Sequence, residues 1–195
     1  MSTAPRKTTL PTMLAVAAVA LAQTAVLAYM VIDRIQLLRT GREIVLPIVP
    51  IDPRDFFRGE FIRLDYPAGQ FTLAPDDGVP LKRNETVYVT LEKPAQGDDW
   101  RPIAVSRTFK REGGPDRIVL KAWSLWDAPL YDRWRGAAVR YGIESYFVRQ
   151  GDGPKLEALA RDRKLAVLVA VDRHGTAAVK GLIIDGKLQY EEPLL

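Results

Sequence analysis

Charged side chains are concentrated between Ile51 and Tyr66, in the segment IDPRDFFRGEFIRLDY. Two carboxylates that converge in a fold can act as general acid and general base, and a nearby arginine can bind an anionic group. Asp52 and the distant Glu144 are the candidate catalytic pair for an envelope hydrolase. The other carboxylates that could take part are Asp55, Glu60, Asp65 and Glu157.

The same segment also fits a structural role. Asp52, Pro53, Arg54 and Asp55 have the composition of a turn, because Asp side chains bond nearby backbone donors and Pro fixes φ. Gly59 then permits a positive φ or a close backbone approach before the next strand. On this interpretation Arg54 pairs with Asp55 or Glu144. We favour it, because charged turn residues are common.

Three tryptophans lie within twelve residues, at positions 123, 126 and 134, together with Tyr131. Trp combines a large apolar face with a polar N–H, so the cluster could form a sugar-stacking platform, a membrane-interface belt or an anchor for a partner. Trp123 ends an apolar strand, and we expect it in the core. Trp126, Tyr131 and Trp134 share a loop with Asp and Pro, which favours exposure.

Most other chemistries find no support in the sequence. Cys is absent, which excludes disulfides, thiolate metal sites and Cys nucleophiles. His174 is the only histidine and lies in a predicted turn, so we expect no metal site, no cofactor and no Ser–His–Asp triad. Gly151, Asp152 and Gly153 lack the rest of a phosphate-binding loop and are better explained as a helix start.

A binding or accessory domain that is not an enzyme is therefore the first prediction, with the hydrolase as its alternative. The candidate binding residues come from the charged segment, the aromatic loop and a later strand. They are Arg54, Arg58, Gly59, Glu60, Tyr66, Trp126, Trp134 and Tyr146.

Alternating and apolar runs predict a mainly β domain. The predicted strands are 43–50, 60–66, 86–92, 103–110, 117–125, 138–148, 165–171, 176–184 and 187–190. Pro47 and Pro50 make the first of these an edge strand or an approach to the sheet. Gly113–Asp116 has the turn chemistry to close a hairpin between two strands. We expect an antiparallel sandwich or partial barrel.

One amphipathic helix should cover this sheet. Pro154 fits a first helical position, and Leu156, Leu159 and Ala160 form an apolar stripe with i, i+3, i+4 spacing.

Leu10 to Ile32 is a run of 23 residues without a charged side chain. A helix of this length crosses about 30 Å of hydrocarbon. A cleaved signal peptide is the alternative, because Val26–Ala28 could be a cleavage site, but the run exceeds the usual apolar core of about 7–15 residues. We expect a retained single-pass anchor in the lipid of the cytoplasmic membrane.

The expected organisation follows from that anchor. Residues 1–9 form a short cytoplasmic tail, 10–32 the membrane helix, 33–42 a helical extension through about Arg39, and 43–195 an extracytoplasmic β-rich domain. Without Arg6 and Lys7, 26 basic residues face 24 acidic ones, and no Lys/Arg run exceeds two. That balance gives no reason to expect nucleic-acid binding.

Around residue 59 the chain resembles a membrane-anchored bacterial family named after the pattern G, D, Y, x, x, L, x, Y. Gly59, Leu64 and Tyr66 match the pattern, whereas Glu60 and Phe61 replace its Asp and first Tyr. The flanking segments resemble the family's layout too: Asp52–Arg54, YGIESYFV at 141–148, GDGPKLE at 151–157 and GLIIDGK at 181–187. The resemblance implies no particular reaction. It does imply a multi-pass membrane protein as a partner.

Overall fold

The computed structural model describes residues 10–48, 61–95, 99–111, 114–125, 137–149 and 151–191. The helices are α1 (Leu10–Thr40) and α2 (Gly153–Arg161). The strands are β1 (Arg42–Pro47), β2 (Phe61–Arg63), β3 (Gln70–Phe71), β4 (Thr86–Glu92), β5 (Arg101–Ser106), β6 (Arg117–Ser124), β7 (Ala137–Arg140), β8 (Ser145–Phe147), β9 (Leu165–Val171), β10 (Ala177–Ile184) and β11 (Lys187–Glu191). A single 3-10 turn spans Pro67–Gly69.

Helix α1 contains the apolar run and continues beyond it to Thr40. Its most apolar 18-residue window has a mean hydropathy of 2.1, and none of that window is buried. By length and composition the helix could cross a membrane, and a signal sequence near the N-terminus would meet the same criteria.

The chain divides into two compact units, Met1–Gln36 and Leu37–Leu195, and the second is called the β domain below. The boundary falls inside the segment 33–42. Within the β domain, Leu37 and Leu38 are buried together with Ala170 of β9 and Ala178 of β10. The last helical turn is therefore part of the packed domain.

Gly41 lets the chain pass directly from that helical turn into β1. Its N–H donates to the carbonyl of Leu37 at 2.9 Å. A Cβ at this position would lie 2.4 Å from the same carbonyl oxygen and 3.1 Å from the backbone nitrogen of Val171. The position therefore requires glycine for close approach of backbone to backbone.

The β domain is built from antiparallel sheets, as predicted. A four-stranded sheet has the order β1-β9-β10-β11, a five-stranded sheet has the order β3-β7-β6-β4-β5, and β2 pairs with β8. The prolines of the first predicted strand correctly placed it at an edge, since β1 pairs only with β9 among the described strands. The β9–β10 and β10–β11 hairpins also form as predicted.

Two predictions about strands were wrong. The segment 138–148 is two strands, because Gly142 adopts a φ of +80° and turns the chain between β7 and β8. The predicted turn at Gly113–Asp116 does not join paired strands, since β4 lies between β5 and β6 in the sheet. Both β5 and β6 use β4 as their partner.

One continuous buried cluster joins residues of all three sheets and α2. Leu156 and Ala160 of α2 are buried and Leu159 packs against the cluster, which confirms the predicted apolar stripe. At the β9–β10 turn, the N–H of Lys121 in β6 donates to the carbonyl of Gly175 at 2.7 Å. This bond ties the four-stranded sheet to the five-stranded sheet.

Candidate functional site

Strand β2 and the residues directly after it contain the part of the family pattern that the structure describes. The strand pairs with β8, with Ile62 opposite Tyr146. The N–H of Leu64 then donates to the carbonyl of Glu144 at 2.8 Å, which extends the pairing beyond the strand. Leu64 and Tyr66 are 1% and 2% exposed, so both lie in the core.

Two tyrosine hydroxyls cross-link this region through buried hydrogen bonds to backbone carbonyls. Tyr66 donates to the carbonyl of Ile143 at 2.8 Å, and Tyr141 donates to the carbonyl of Ala68 at 2.5 Å. Burial raises the pKa of both phenols, and the nearby Glu144 carboxylate raises each pKa further. Both therefore stay protonated at neutral pH and serve as structural donors.

The carboxylate of Glu144 also bonds to the backbone. It accepts hydrogen bonds from the N–H of Tyr141 and, at 3.0 Å, from the N–H of Gly142. These bonds hold the turn between β7 and β8 closed. Gly142 is further restricted, since a Cβ there would lie 3.3 Å from the ring of Trp123.

Two other candidate carboxylates lie within the described residues. Glu157 lies in α2, and Asp65 is half-buried and accepts a hydrogen bond from the backbone N–H of Tyr66 at 3.0 Å. The other candidates lie outside the described residues: Asp52, Arg54, Asp55, Arg58, Gly59, Glu60, Trp126, Tyr131 and Trp134. The pairing of Asp52 with Glu144 therefore stays a prediction.

The structure places three of the aromatic residues noted in the sequence. Tyr66 and Tyr146 are core residues, with Tyr146 6% exposed. Trp123 was expected in the core but is half-buried. The reason is the alternation of β6, which buries Ala122 and Ser124 and leaves Trp123 on the other face, with the Lys121 ammonium 5.7 Å from its ring centroid.

His174 lies in the β9–β10 turn, as predicted, and is exposed. Its backbone N–H donates to the carboxylate of Asp172 at 2.8 Å, an arrangement typical of a tight turn. Across the part of the chain that the structure describes, no group of three or more His, Cys, Asp or Glu side chains could hold a metal ion.

Sequence reasoning missed a surface cavity of about 460 Å³ beside the same turn. Four arginines line it: Arg42, Arg111, Arg117 and Arg173. They come from four separate segments of the chain, so no local run of basic residues could have indicated them. A second cavity of about 350 Å³ is lined by residues of β1, β9 and the β10–β11 turn.

The fold and the site define a mainly β domain that follows an N-terminal apolar helix, with Leu64 and Tyr66 in the domain core. The chain belongs to the GDYXXLXY protein family, whose profile matches residues 23–182 and so confirms the family resemblance. No curated protein and no solved structure matches the chain.

Proposed function

We propose that the chain is a single-pass protein of the cytoplasmic (inner) membrane. Its β domain works outside the cytoplasm as a non-catalytic binding or accessory domain for an integral membrane protein or another envelope component. The observation that carries the proposal is α1, whose apolar window is long enough to span the membrane and is not buried by any part of the described chain.

Retention of the helix is supported by its length and continuity. The candidate cleavage site after Ala28 lies in the middle of α1, which continues without a break for twelve more residues to Thr40. Its last turn packs into the β domain through Leu37 and Leu38. Signal sequences usually end in an extended, small-residue cleavage segment after a core of about 7–15 residues.

A non-catalytic role is supported by the structural hydrogen bonds that two of the candidate residues form. The carboxylate of Glu144 closes a turn, and Tyr66 donates to a buried carbonyl. A face for docking is suggested by Phe147, which is 75% exposed in β8, and by Leu125, which is 39% exposed and directly precedes the predicted aromatic loop. Exposed aromatic side chains are typical anchors of protein interfaces.

The tether and its orientation are tested with single cysteines, because the natural chain has none. Ser2→Cys marks the N-terminal tail, and Lys187→Cys marks an exposed position in β11. With an impermeant maleimide applied to cells whose outer envelope has been made permeable, we expect labelling at position 187, and labelling at position 2 only after lysis. Intact-mass measurement should give the full 21.8 kDa chain. Labelling at position 2 alone, or a mass lacking the first 28 residues, would overturn the proposal.

A further inference from the structure

The arginine-lined cavity lies where three parts of the β domain meet. It is bounded by Thr40 and Arg42 at the start of β1, by Arg117–Val119 at the start of β6, and by Val171–Arg173 at the β9–β10 turn. Its volume of about 460 Å³ is in the range of sites for small ligands. All these residues belong to one compact unit.

Positive charge predominates on its rim. Among the described residues that line the cavity, four arginines face one acid, Asp172, whose Oδ1 already accepts hydrogen bonds from two backbone N–H groups of its own turn. Arg117 forms an ion pair with Glu92 at 2.8 Å, so part of its charge is compensated. The rim therefore keeps an excess of positive charge.

Arg42 is fixed in position by uncharged groups. Its guanidinium donates to three backbone carbonyls, those of Gly114, Pro115 and Arg117, and lies 5.8 Å from the ring centroid of Trp100. Carbonyls and an aromatic ring carry no net charge, so none of these contacts compensates the positive charge of Arg42. A guanidinium held in this way is pre-organised to meet an anion.

Arg111, between β5 and β6, and Arg173, in the β9–β10 turn, complete the rim. Both are exposed, and neither forms an ion pair within the described ranges of the chain. Arginine presents several N–H donors in a planar fork that suits the oxygens of a phosphate group.

The floor of the cavity is apolar. Ile118, Val119 and Val171 line it and are each less than 10% exposed. Phe109 lines it as well and packs edge-on against Tyr88, with ring centroids 5.6 Å apart. A basic rim above an apolar floor suits an amphiphile with an anionic head better than a small hydrophilic anion.

The connection to α1 limits how far this cavity can be from the membrane. Thr40, which lines it, follows Ile32, the last residue of the uncharged run, by only eight residues of sequence. Eight residues reach at most about 28 Å even when the chain is fully extended. Headgroups occupy roughly the first 5–8 Å outside the hydrocarbon, and charges act over about a Debye length of 8–10 Å.

We propose that this cavity binds the phosphate-bearing headgroup of an anionic phospholipid from the membrane that holds α1. The inference adds a lipid partner to the proposed function and rests on its retained anchor. The lipid would hold the β domain at the membrane surface through Arg42, Arg111 and Arg173.

The test uses the full chain in neutral maltoside micelles, where binding can be measured whether or not the cell retains the anchor. Phosphatidylglycerol, phosphatidylcholine and inorganic phosphate are titrated separately, and bound species are counted by native mass spectrometry. The test variant is Arg111→Gln/Arg173→Gln. Its matched control is Lys155→Gln/Arg161→Gln, which removes the same charge from exposed positions of α2.

We expect phosphatidylglycerol to bind in preference to phosphatidylcholine and to inorganic phosphate. The test variant should bind phosphatidylglycerol at least about tenfold more weakly than the natural chain, because two charge-assisted contacts are lost. The control should change affinity by less than about twofold. Both variants should keep the melting temperature of the natural chain.

Three results would overturn the proposal. Equal weakening in both variants would mean attraction to net charge alone. Equal binding of both lipids would exclude headgroup recognition. Inorganic phosphate that binds as tightly as phosphatidylglycerol, with the same dependence on Arg111 and Arg173, would assign the cavity to a soluble anion.

Discussion

The hydroxyl of Tyr66 is predicted to stabilise the β domain. It donates at 2.8 Å to the carbonyl of Ile143, and the side chain is 2% exposed. Tyr66→Phe keeps the ring and its packing but leaves that carbonyl without this donor. Loss of a donor to a buried carbonyl costs about 1–3 kcal/mol. In a domain of this size each kcal/mol lowers Tm by about 2–4 °C, so we expect a decrease of roughly 2–12 °C.

Tryptophan fluorescence follows this transition in the full chain in mild detergent. The four tryptophans lie between residues 100 and 134, so the signal comes from the β domain and not from α1. Tyr88→Phe is the matched control, because Tyr88 is only half-buried and its ring packs edge-on against Phe109. We expect that control to change the free energy of unfolding by less than about 0.5 kcal/mol. A Tyr66→Phe protein that melts within 1 °C of the natural chain would refute the structural role of this tyrosine.

Three other predictions concern stability. Gly41→Ala places a Cβ 2.4 Å from the carbonyl oxygen of Leu37, so it should lower the free energy of unfolding by about 1–3 kcal/mol, measured by thermal melting. An unchanged Tm would contradict the close approach at this turn. Leu156→Ala leaves a cavity at a fully buried position of α2 and should lower the free energy of unfolding by about 2–5 kcal/mol in the same assay. A decrease of less than about 1 kcal/mol would show that α2 does not pack as described. Arg107 holds the pKa of Glu85 below its usual range, mainly through their hydrogen bond. The pair therefore stabilises the fold fully above the pKa of an unfolded glutamate, about 4.3. This stabilisation is lost as the pH falls through the lower pKa of Glu85 in the folded protein. Glu85→Gln should therefore melt below the natural chain at pH 7, and the difference should shrink below about pH 4; a difference that is constant with pH would contradict the ion pair.

Much of the fold was predictable because local patterns agree with the tertiary structure. The strand at 165–171 was predicted with its observed ends, since a continuous apolar run is bounded by turn residues on one side and by a short helix on the other. The stripe of α2 was predicted for the same reason: its periodicity reflects burial against one core.

The errors in the predicted strands arose where contacts between residues distant in sequence determine the structure. The apolar run of 138–148 does not show that Gly142 takes a positive φ, a conformation in which its N–H donates to the carboxylate of Glu144 and its Cα lies against the ring of the distant Trp123. The order of β5, β4 and β6 depends on pairing across the sheet, which turn composition does not specify.

The site was predictable only in part. The family pattern directed attention to 59–66, where the structure buries Leu64 and Tyr66 and exposes Arg63. The arginine-lined cavity could not be predicted, because its rim is assembled from residues 42, 111, 117 and 173 by the packing of two sheets.

The docking of the β domain on a membrane partner is tested most directly by photo-crosslinking in the native host membrane. Phe147→p-benzoylphenylalanine places a photoreactive ring at the 75% exposed position in β8, and Leu188→p-benzoylphenylalanine is the control at a 44% exposed position in β11. We predict that irradiation links position 147, but not position 188, to one multi-pass membrane protein in stoichiometric yield. Equal, diffuse crosslinking from both positions, or none from position 147, would contradict a specific docking face on the β domain.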